Sequence, residues 1–577
     1  MVTIDSQRFK FSQRELLFVA VGSATFLGLA SYSFSHRQAM ESWFIYGSYY
    51  AMLAVFVLWV IQLWCYCTAV SFSFKAFLKR YWLGLIGALI LTCCIFISLS
   101  PDYRVLSDET NLLAVSKSMT YNKTIFNTTM GKWYYDNFYP IQQEIEKRPP
   151  MFPFMLSLLH SFFGFSRVNA FILNGLSLFT LLSLIYVCAK KNLDTISGFA
   201  AMLLVASQPI VTLSATSAGF DLFSATFLAI TLVSLYGFMR DPNSHGLALL
   251  WVNLMMFCYI RYESIIYFVL LVGFISGFRL LRLHYVKPFL YLYVLTPLIY
   301  LPFIWQSSVK TGTYVEDAEG VSLFNIARFW AQFSELASAQ FRFDFYLPFA
   351  TGINLTGILL LCILLVGIAL KKFRLVKLYQ RYYAFTVSSC LLVHTFLYLV
   401  YYFGQYTHPI SARYYIVFVL CLSIVPLIYK SVTQMLPSRL LLAGAAIAFI
   451  LYHPVNVENR FFNTLTLPRK TRYVGAFLNK LQRKAVLVIV DRPGQYTAEN
   501  YGAVNFDYAN RNVNSLLSEL KRGLFEEIIV VQDLNYDSQS PVSNNDLNAS
   551  FLLETLSTRQ YTPTEYIRIS RVKQAFK

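Results

Sequence analysis

The sequence predicts an α-helical protein that crosses a membrane many times and ends in a small α/β domain. Three observations lead there. Of 577 residues, 56% are hydrophobic and 17% aromatic, against 14% charged, which is too apolar for a water-soluble globule. Apolar runs of about 20 residues, each long enough to cross roughly 30 Å of hydrocarbon as a helix, recur through most of the chain. After about residue 452 the pattern changes to short apolar strands alternating with one-sided helices.

Taken in order, the apolar runs fall at 16–34, 47–72, 81–99, 168–189, 198–213, 219–238, 246–259, 264–278, 288–305, 348–370, 382–403, 414–429 and 440–451. They predict about 13 transmembrane helices. The first follows Arg8, Lys10 and Arg14 but is too long for a cleaved leader and lacks a small-residue cleavage site, so it reads as a retained helix. With a cytoplasmic N-terminus, one orientation places Lys75, Lys79, Arg80, Lys190, Lys191, Arg240, Arg279, Arg282, Lys287 and the basic cluster from Lys371 to Arg381 all inside, as retention of Lys and Arg requires. Segments 101–150, 307–347 and everything after about 452 then lie outside. Within 322–345, aromatic residues alternate with Arg328, Glu335, Arg342 and Asp344, the pattern of an amphipathic helix on the membrane surface. The tail reads as strand 485–491, helix 512–522, strand 527–533, helix 547–556 and strand 566–572. It divides from the rest at 454, and the first two spans (1–80) stand apart from a core of 81–453. No phosphate-cradling glycine pattern follows Asp491-Arg492-Pro493-Gly494, so the tail is expected to support the protein or dock an acceptor.

The net charge of +18 does not point to nucleic acid, because the basic residues sit in short connections between spans. All nine cysteines lie within apolar stretches. That excludes a disulfide framework and zinc-ligand spacing.

Two short motifs carry chemistry. Leu106-Ser107-Asp108-Glu109-Thr110 opens the first outer segment, and Glu146-Lys147-Arg148-Pro149-Pro150-Met151-Phe152-Pro153 closes it. An ordinary hydrated loop explains the acidic residues equally well on spacing alone. As chemistry, a carboxylate near the interface takes a proton from an acceptor hydroxyl while Lys and Arg neutralise a phosphate leaving group. Three further outer turns hold candidates: Asp221 in Ser217-Ala218-Gly219-Phe220-Asp221-Leu222, Arg261 and Glu263 around Tyr262, and His408, Arg413 and Tyr414 in the turn opening a late helix. Asp221 also suits a helix N-terminus electrostatically, and an Arg261–Glu263 contact also suits a purely structural pair.

In kind and order these motifs resemble the GT-C superfamily of polyprenyl-phosphate-dependent glycosyltransferases, particularly protein O-mannosyltransferases and lipid A aminoarabinose transferases. The resemblance covers 81–452 in layout. It departs in having two extra N-terminal spans and in Lys147 standing between Glu146 and Arg148. It implies a GT-C-like fold and Asp108 as catalytic base, with Glu109 orienting the acceptor or sugar. Arg148, Lys147, Arg261 and Arg413 are the implied donor-phosphate ligands, with Asp221, Glu263, Tyr414 and His408 as secondary site residues. The implied activity is inverting transfer of a sugar from a polyprenyl-phosphate donor to a glycan, lipid or protein hydroxyl. It takes place outside the cytoplasmic membrane of a bacterium, among membrane lipids and without nucleic acid. No cofactor is required by any spacing, and a divalent metal near the acidic loop is compatible. The competing expectations are a transporter or flippase of an anionic lipid-linked substrate, and a glycan ligase or oligosaccharyltransferase.

Overall fold

The computed structural model describes residues 12–104, 107–146, 148–297, 322–343, 348–370, 378–452, 466–542 and 546–573. Lys147, the second half of the expected 288–305 helix and the connections 298–321 and 371–377 lie outside the described residues. Helices α1 (Gln13–Ser35), α2 (Arg37–Ala69) and α3 (Phe74–Ser98) come first. Their large apolar side chains face outward, with Leu17 66%, Trp64 75% and Ile97 85% exposed, an arrangement that only a lipid solvent makes favourable.

The first outer segment is not a loop. It folds into α4 (Ser107–Tyr121), a hairpin of β1 (Phe126–Tyr134) and β2 (Asn137–Ile145), and α5 (Met151–Phe163). Asp108 and Glu109 stand in the first turn of α4, where acidic side chains favour a helix N-terminus. After α6 (Val168–Asn192) the expected 198–213 span is broken. Helices α7 (Thr195–Ala206) and α8 (Pro209–Ala215) meet at 76°, since Pro209 cannot continue a helix. Gln208 at the break is fully buried. Its Nε2 donates to Asn354 Oδ1 and Ser423 Oγ, both at 2.9 Å, and its Oε1 accepts from Ala350 N at 3.1 Å. Those bonds satisfy a polar side chain in an apolar interior and fix where the turn after α8 emerges.

Helices α9 (Asp221–Arg240), α10 (Ser244–Cys258) and α11 (Ser264–Gly277) follow. Residues 326–328 form a 3-10 turn leading into α12 (Phe329–Ala339). As expected of an amphipathic helix, Gln332, Leu336 and Ala339 are buried while Trp330 is 73% exposed. The chain continues through α13 (Thr351–Ala369), α14 (Leu378–Val400), α15 (Ile416–Thr433) and α16 (Ser438–Leu451). Among the described residues, eight helices are long and apolar enough to span, nine with the bent pair, and four shorter apolar helices accompany them.

The tail contains α17 (Thr466–Leu478), β3 (Val486–Ile489), β4 (Gly502–Val504), α18 (Val513–Lys521), β5 (Glu527–Asn535), β6 (Leu553–Gln560) and β7 (Glu565–Val572). The expected helix at 547–556 is corrected: β6 pairs antiparallel with β7 across Leu553–Gln560. The run Leu-Glu-Thr-Leu-Ser-Thr is rich in β-favouring residues, and a partner strand lies beside it. All seven strands form one sheet in the order β2-β1-β4-β3-β5-β7-β6. The hairpin of the first outer segment therefore extends the sheet of the tail, and both lie on one side of the spans. Strands β3 and β5 pair in parallel, and β3 is buried along its whole length, as a strand covered on both faces must be.

Candidate active site

Three turns between helices converge on the start of α4. The turn after α8 anchors it: Glu109 is 1% exposed, and its two carboxylate oxygens accept from Arg104 N at 2.6 Å and Ala218 N at 3.0 Å. Arg104, which the sequence reading did not single out, reaches the same turn, with Nη2 donating to Thr216 Oγ1 at 2.8 Å. A Cβ on Gly219 would lie 3.3 Å from Asp221 Oδ2 and 3.4 Å from Ser217 Oγ, so this crossing favours glycine. Glu109 thus holds backbone in place, and its neighbour Asp108 pairs with charged side chains.

Asp108 forms ion pairs with two arginines, one on each carboxylate oxygen: Arg148 on Oδ1 and Arg413 on Oδ2. Each arginine turns to a second carboxylate. Arg148 bonds Glu146 at 2.5 Å, and Arg413 lies 3.6 Å from Asp221. Asp221 pairs with Arg261, which pairs in turn with Glu263, and Glu263 accepts the hydroxyl of Tyr398. The result is a continuous alternation of charge, Glu146–Arg148–Asp108–Arg413–Asp221–Arg261–Glu263–Tyr398. It brings together residues up to 305 positions apart in the chain.

An aromatic wall backs this row. Tyr414 stacks on Tyr398 with centroids 5.0 Å apart and planes at 4°, and the guanidiniums of Arg261 and Arg413 each lie 5.3 Å from the Tyr414 ring, within cation–π range. Gly404 permits the close turn behind it, since a Cβ there would fall 1.7 Å from Tyr398 O. His408 stays in its own turn, with Nδ1 accepting from Ile410 N at 3.3 Å and its ring against Phe403. Two small cavities flank the row. One is lined by Arg261, Glu263, Tyr267, His394 and Tyr414, the other by Arg104, Glu109, Ser217, Pro409 and Arg413, and Asp221 borders both.

The electrostatics around Asp108 are set by its two arginines. Burial by itself would raise the Asp108 carboxyl, but the Arg413 and Arg148 guanidiniums outweigh it and hold the group well below the usual carboxylate range. Arg413 is 7% exposed, and its Nε and Nη1 make no hydrogen bond among the described residues. Buried guanidinium donors left unspent are costly unless something binds them. No group of three or more His, Cys, Asp or Glu that could hold a metal occurs among the described residues.

Of the candidates named from sequence, Asp108, Arg148, Asp221, Arg261, Glu263, Arg413 and Tyr414 meet in one place. Glu109 anchors it, His408 belongs to a supporting turn, and Lys147 is outside the described residues. Glu146, Arg104 and Tyr398 were not foreseen as members. Glu146 stood in the second motif without an assigned role, Arg104 was legible only as an ionisable residue beside an apolar run, and Tyr398 only as one apolar position in a span.

Residues 147–305 match the family model described as dolichyl-phosphate-mannose-protein mannosyltransferase. No curated protein matches the chain. Among solved structures, ArnT from Cupriavidus metallidurans bound to undecaprenyl phosphate is 14% identical with a TM-score of 0.43, covering 85% of this chain and 98% of that one. Its apo form is 13% identical with a TM-score of 0.41, covering 86% and 98%. Values this low assign no residue and no ligand. The family match spans Arg148, Asp221, Arg261 and Glu263, so this part of the chain, with four of the residues that meet at the site, is similar to that family.

Proposed function

We propose that the protein moves one sugar from a polyprenyl-phosphate-linked donor to a hydroxyl acceptor on the extracytoplasmic side of a bacterial cytoplasmic membrane, with inversion and with Asp108 as general base. One observation carries this reading: both oxygens of Asp108 are held by arginines, one of which has donors to spare. The side of the membrane rests on the basic connections, which one orientation keeps inside.

In the reaction, Asp108 takes the proton from the acceptor hydroxyl as its oxygen forms the new bond to the anomeric carbon. The bond from that carbon to the phosphate oxygen breaks, and polyprenyl phosphate leaves with the electron pair. Arg148, Arg413 and Arg261 compensate its charge.

Asp108 and the donor phosphate compete for the same two guanidiniums. A carboxylate paired on both oxygens is a weak base, because proton transfer is efficient when the base's pKa lies near the working pH. A phosphate that draws Arg413 and Arg148 onto its own oxygens weakens their hold on Asp108 and places a second negative charge beside it. Both effects raise the basicity of Asp108 once the donor is seated.

The deciding experiment supplies membranes with labelled polyprenyl-phosphate sugar and follows release of polyprenyl phosphate. Release with transfer of a single sugar supports the reading. Movement of intact donor across the bilayer would mark a transporter, and transfer of a whole glycan would mark a ligase.

A further inference from the structure

We propose that the outer edge of the hairpin, from its tyrosine tip along β2, is a docking track for a glycan-bearing acceptor with little net charge. The inference rests on the transferase reading and names the substrate class that reading leaves open.

Strand β1 joins the sheet through β4, at Gly131 opposite Ala503, so β2 is one of the two edges of the seven-stranded sheet, the one next to the site. At the tip, Tyr134, Tyr135 and Tyr139 are 41%, 75% and 51% exposed. Their rings meet edge to face, with centroids 5.2 Å and 5.8 Å apart around Tyr134. Such a patch offers flat apolar faces to the C–H side of a sugar and phenolic hydroxyls to its polar rim. Further along β2, Gln142, Gln143 and Glu144 are exposed; Gln142 Nε2 donates to Glu144 at 3.0 Å and Gln143 Nε2 to Thr128 Oγ1 at 3.2 Å, and each amide keeps its second N–H and its oxygen, the chemistry that suits sugar hydroxyls. The charges at the tip cancel, because Asp136 pairs with Lys484 at 2.9 Å.

Two features choose among occupants. Pro140 lies in the middle of β2 and lacks the N–H that an added strand would need, so the edge is built against pairing with an extended peptide. The strand also runs directly into the site: Ile145 ends β2, and Glu146 is already ion-paired to Arg148 beside Asp108. From Tyr139 to Arg148 an extended chain reaches at most about 30 Å. An acceptor of several sugars can therefore rest on the tip while its terminal hydroxyl lies at Asp108.

The test uses the full-length protein in lipid nanodiscs. Gluco-, manno- and N-acetylglucosamine oligosaccharides, each as monomer and as long chain, are titrated against the native protein and the Tyr134→Ala/Tyr139→Ala double variant, with undecaprenyl phosphate binding measured in parallel. At least one long chain should bind more tightly than its monomer, and the double variant should weaken it about tenfold with lipid-phosphate binding unchanged. Equal binding of monomer and long chain, or equal binding by native and variant protein, overturns the proposal. So does quenching of the Trp133-dependent fluorescence by brominated lipid, which would make the tip a membrane contact. Failure of the native protein to bind undecaprenyl phosphate would instead sink the transferase reading, and the track with it.

Discussion

At the start of α4, Asp108 lies among arginines; two turns further along the same helix, Ser116 lies in a neutral chain. Ser116 Oγ is 3.1 Å from His160 Nε2, and His160 Nδ1 is 2.8 Å from Asn169 Nδ2. In residue types the second cluster looks like nucleophilic machinery. Its bonding says otherwise. Asn169 Nδ2 donates both to Gly164 O and to His160 Nδ1, each at 2.8 Å, so the His160 proton sits on Nε2 and points at Ser116. Ser116 Oγ donates onward to Leu113 O at 2.7 Å. A serine that accepts from its histidine cannot be deprotonated by it. All three side chains are no more than 3% exposed, and this cluster fastens α4 to α5 and α6. The comparison teaches that a closed neutral chain holds a fold together, while charges paired but not fully bonded leave something for a ligand to take.

That contrast can be broken first at Asp108. Asp108→Asn should lower transfer by roughly 10³-fold, within the range for loss of a general base, and should bind undecaprenyl phosphate more tightly by removing an internal competitor. Weaker lipid-phosphate binding in this variant would mean that Asp108 only props up its arginines. Next, Arg413→Ala and Arg148→Ala should each reduce kcat/KM for the donor by about 10² or more. Arg413→Lys should recover little of it, since an ammonium cannot serve two oxygens in the guanidinium's fork.

The opposite outcome is expected at the neutral cluster. His160→Ala should cost about 1–3 kcal/mol by leaving buried partners unmatched while the folded protein keeps its turnover, as thermal unfolding and activity of the same preparation would show. A large loss of kcat without loss of stability would erase the distinction. The pH profile sharpens it further. The limb of kcat reports the donor complex and that of kcat/KM the free enzyme, so the acid limb should lie higher in kcat, because the phosphate has loosened Asp108 from its arginines. Identical limbs would count against exchange.

The smallest effect is expected at Lys117, whose ammonium is pushed down to about 8 by burial as it lies over Phe138 and donates to Thr497 O at 3.2 Å. A lysine with a lowered folded pKa penalises the fold when protonated. Lys117→Met should therefore raise Tm near pH 7, and the gain should fade as pH climbs through 8 toward the ordinary lysine value.

Part of the site was legible because ionisable residues at the ends of apolar runs are rare enough to stand out. Arg261 and Glu263 were visible on that ground, whereas Asp108, Arg148, Asp221 and Arg413 stood out through the family resemblance. The helical character of the first outer segment was not. Pro149, Pro150 and Pro153 interrupt any helical pattern there, yet proline is tolerated at the start of a helix, and α5 begins at Met151. Nor could the sequence assign Glu109, one residue from Asp108, to main-chain amides near 104 and 218. Adjacent positions on a helix point about 100° apart and so meet different neighbours.

The residue order alone determined that this chain spans a membrane, which short polar turns hold its ionisable residues, and that its tail is a separate kind of structure, because hydrophobic runs and their periodicity are local properties. Tertiary structure decided which acid faces which arginine, that the hairpin extends the sheet of the tail, and that one polar cluster on α4 is closed and neutral while the other pairs Asp108 with two arginines. Those outcomes depend on charges and strands brought together from hundreds of residues apart, and no local pattern encodes such pairings.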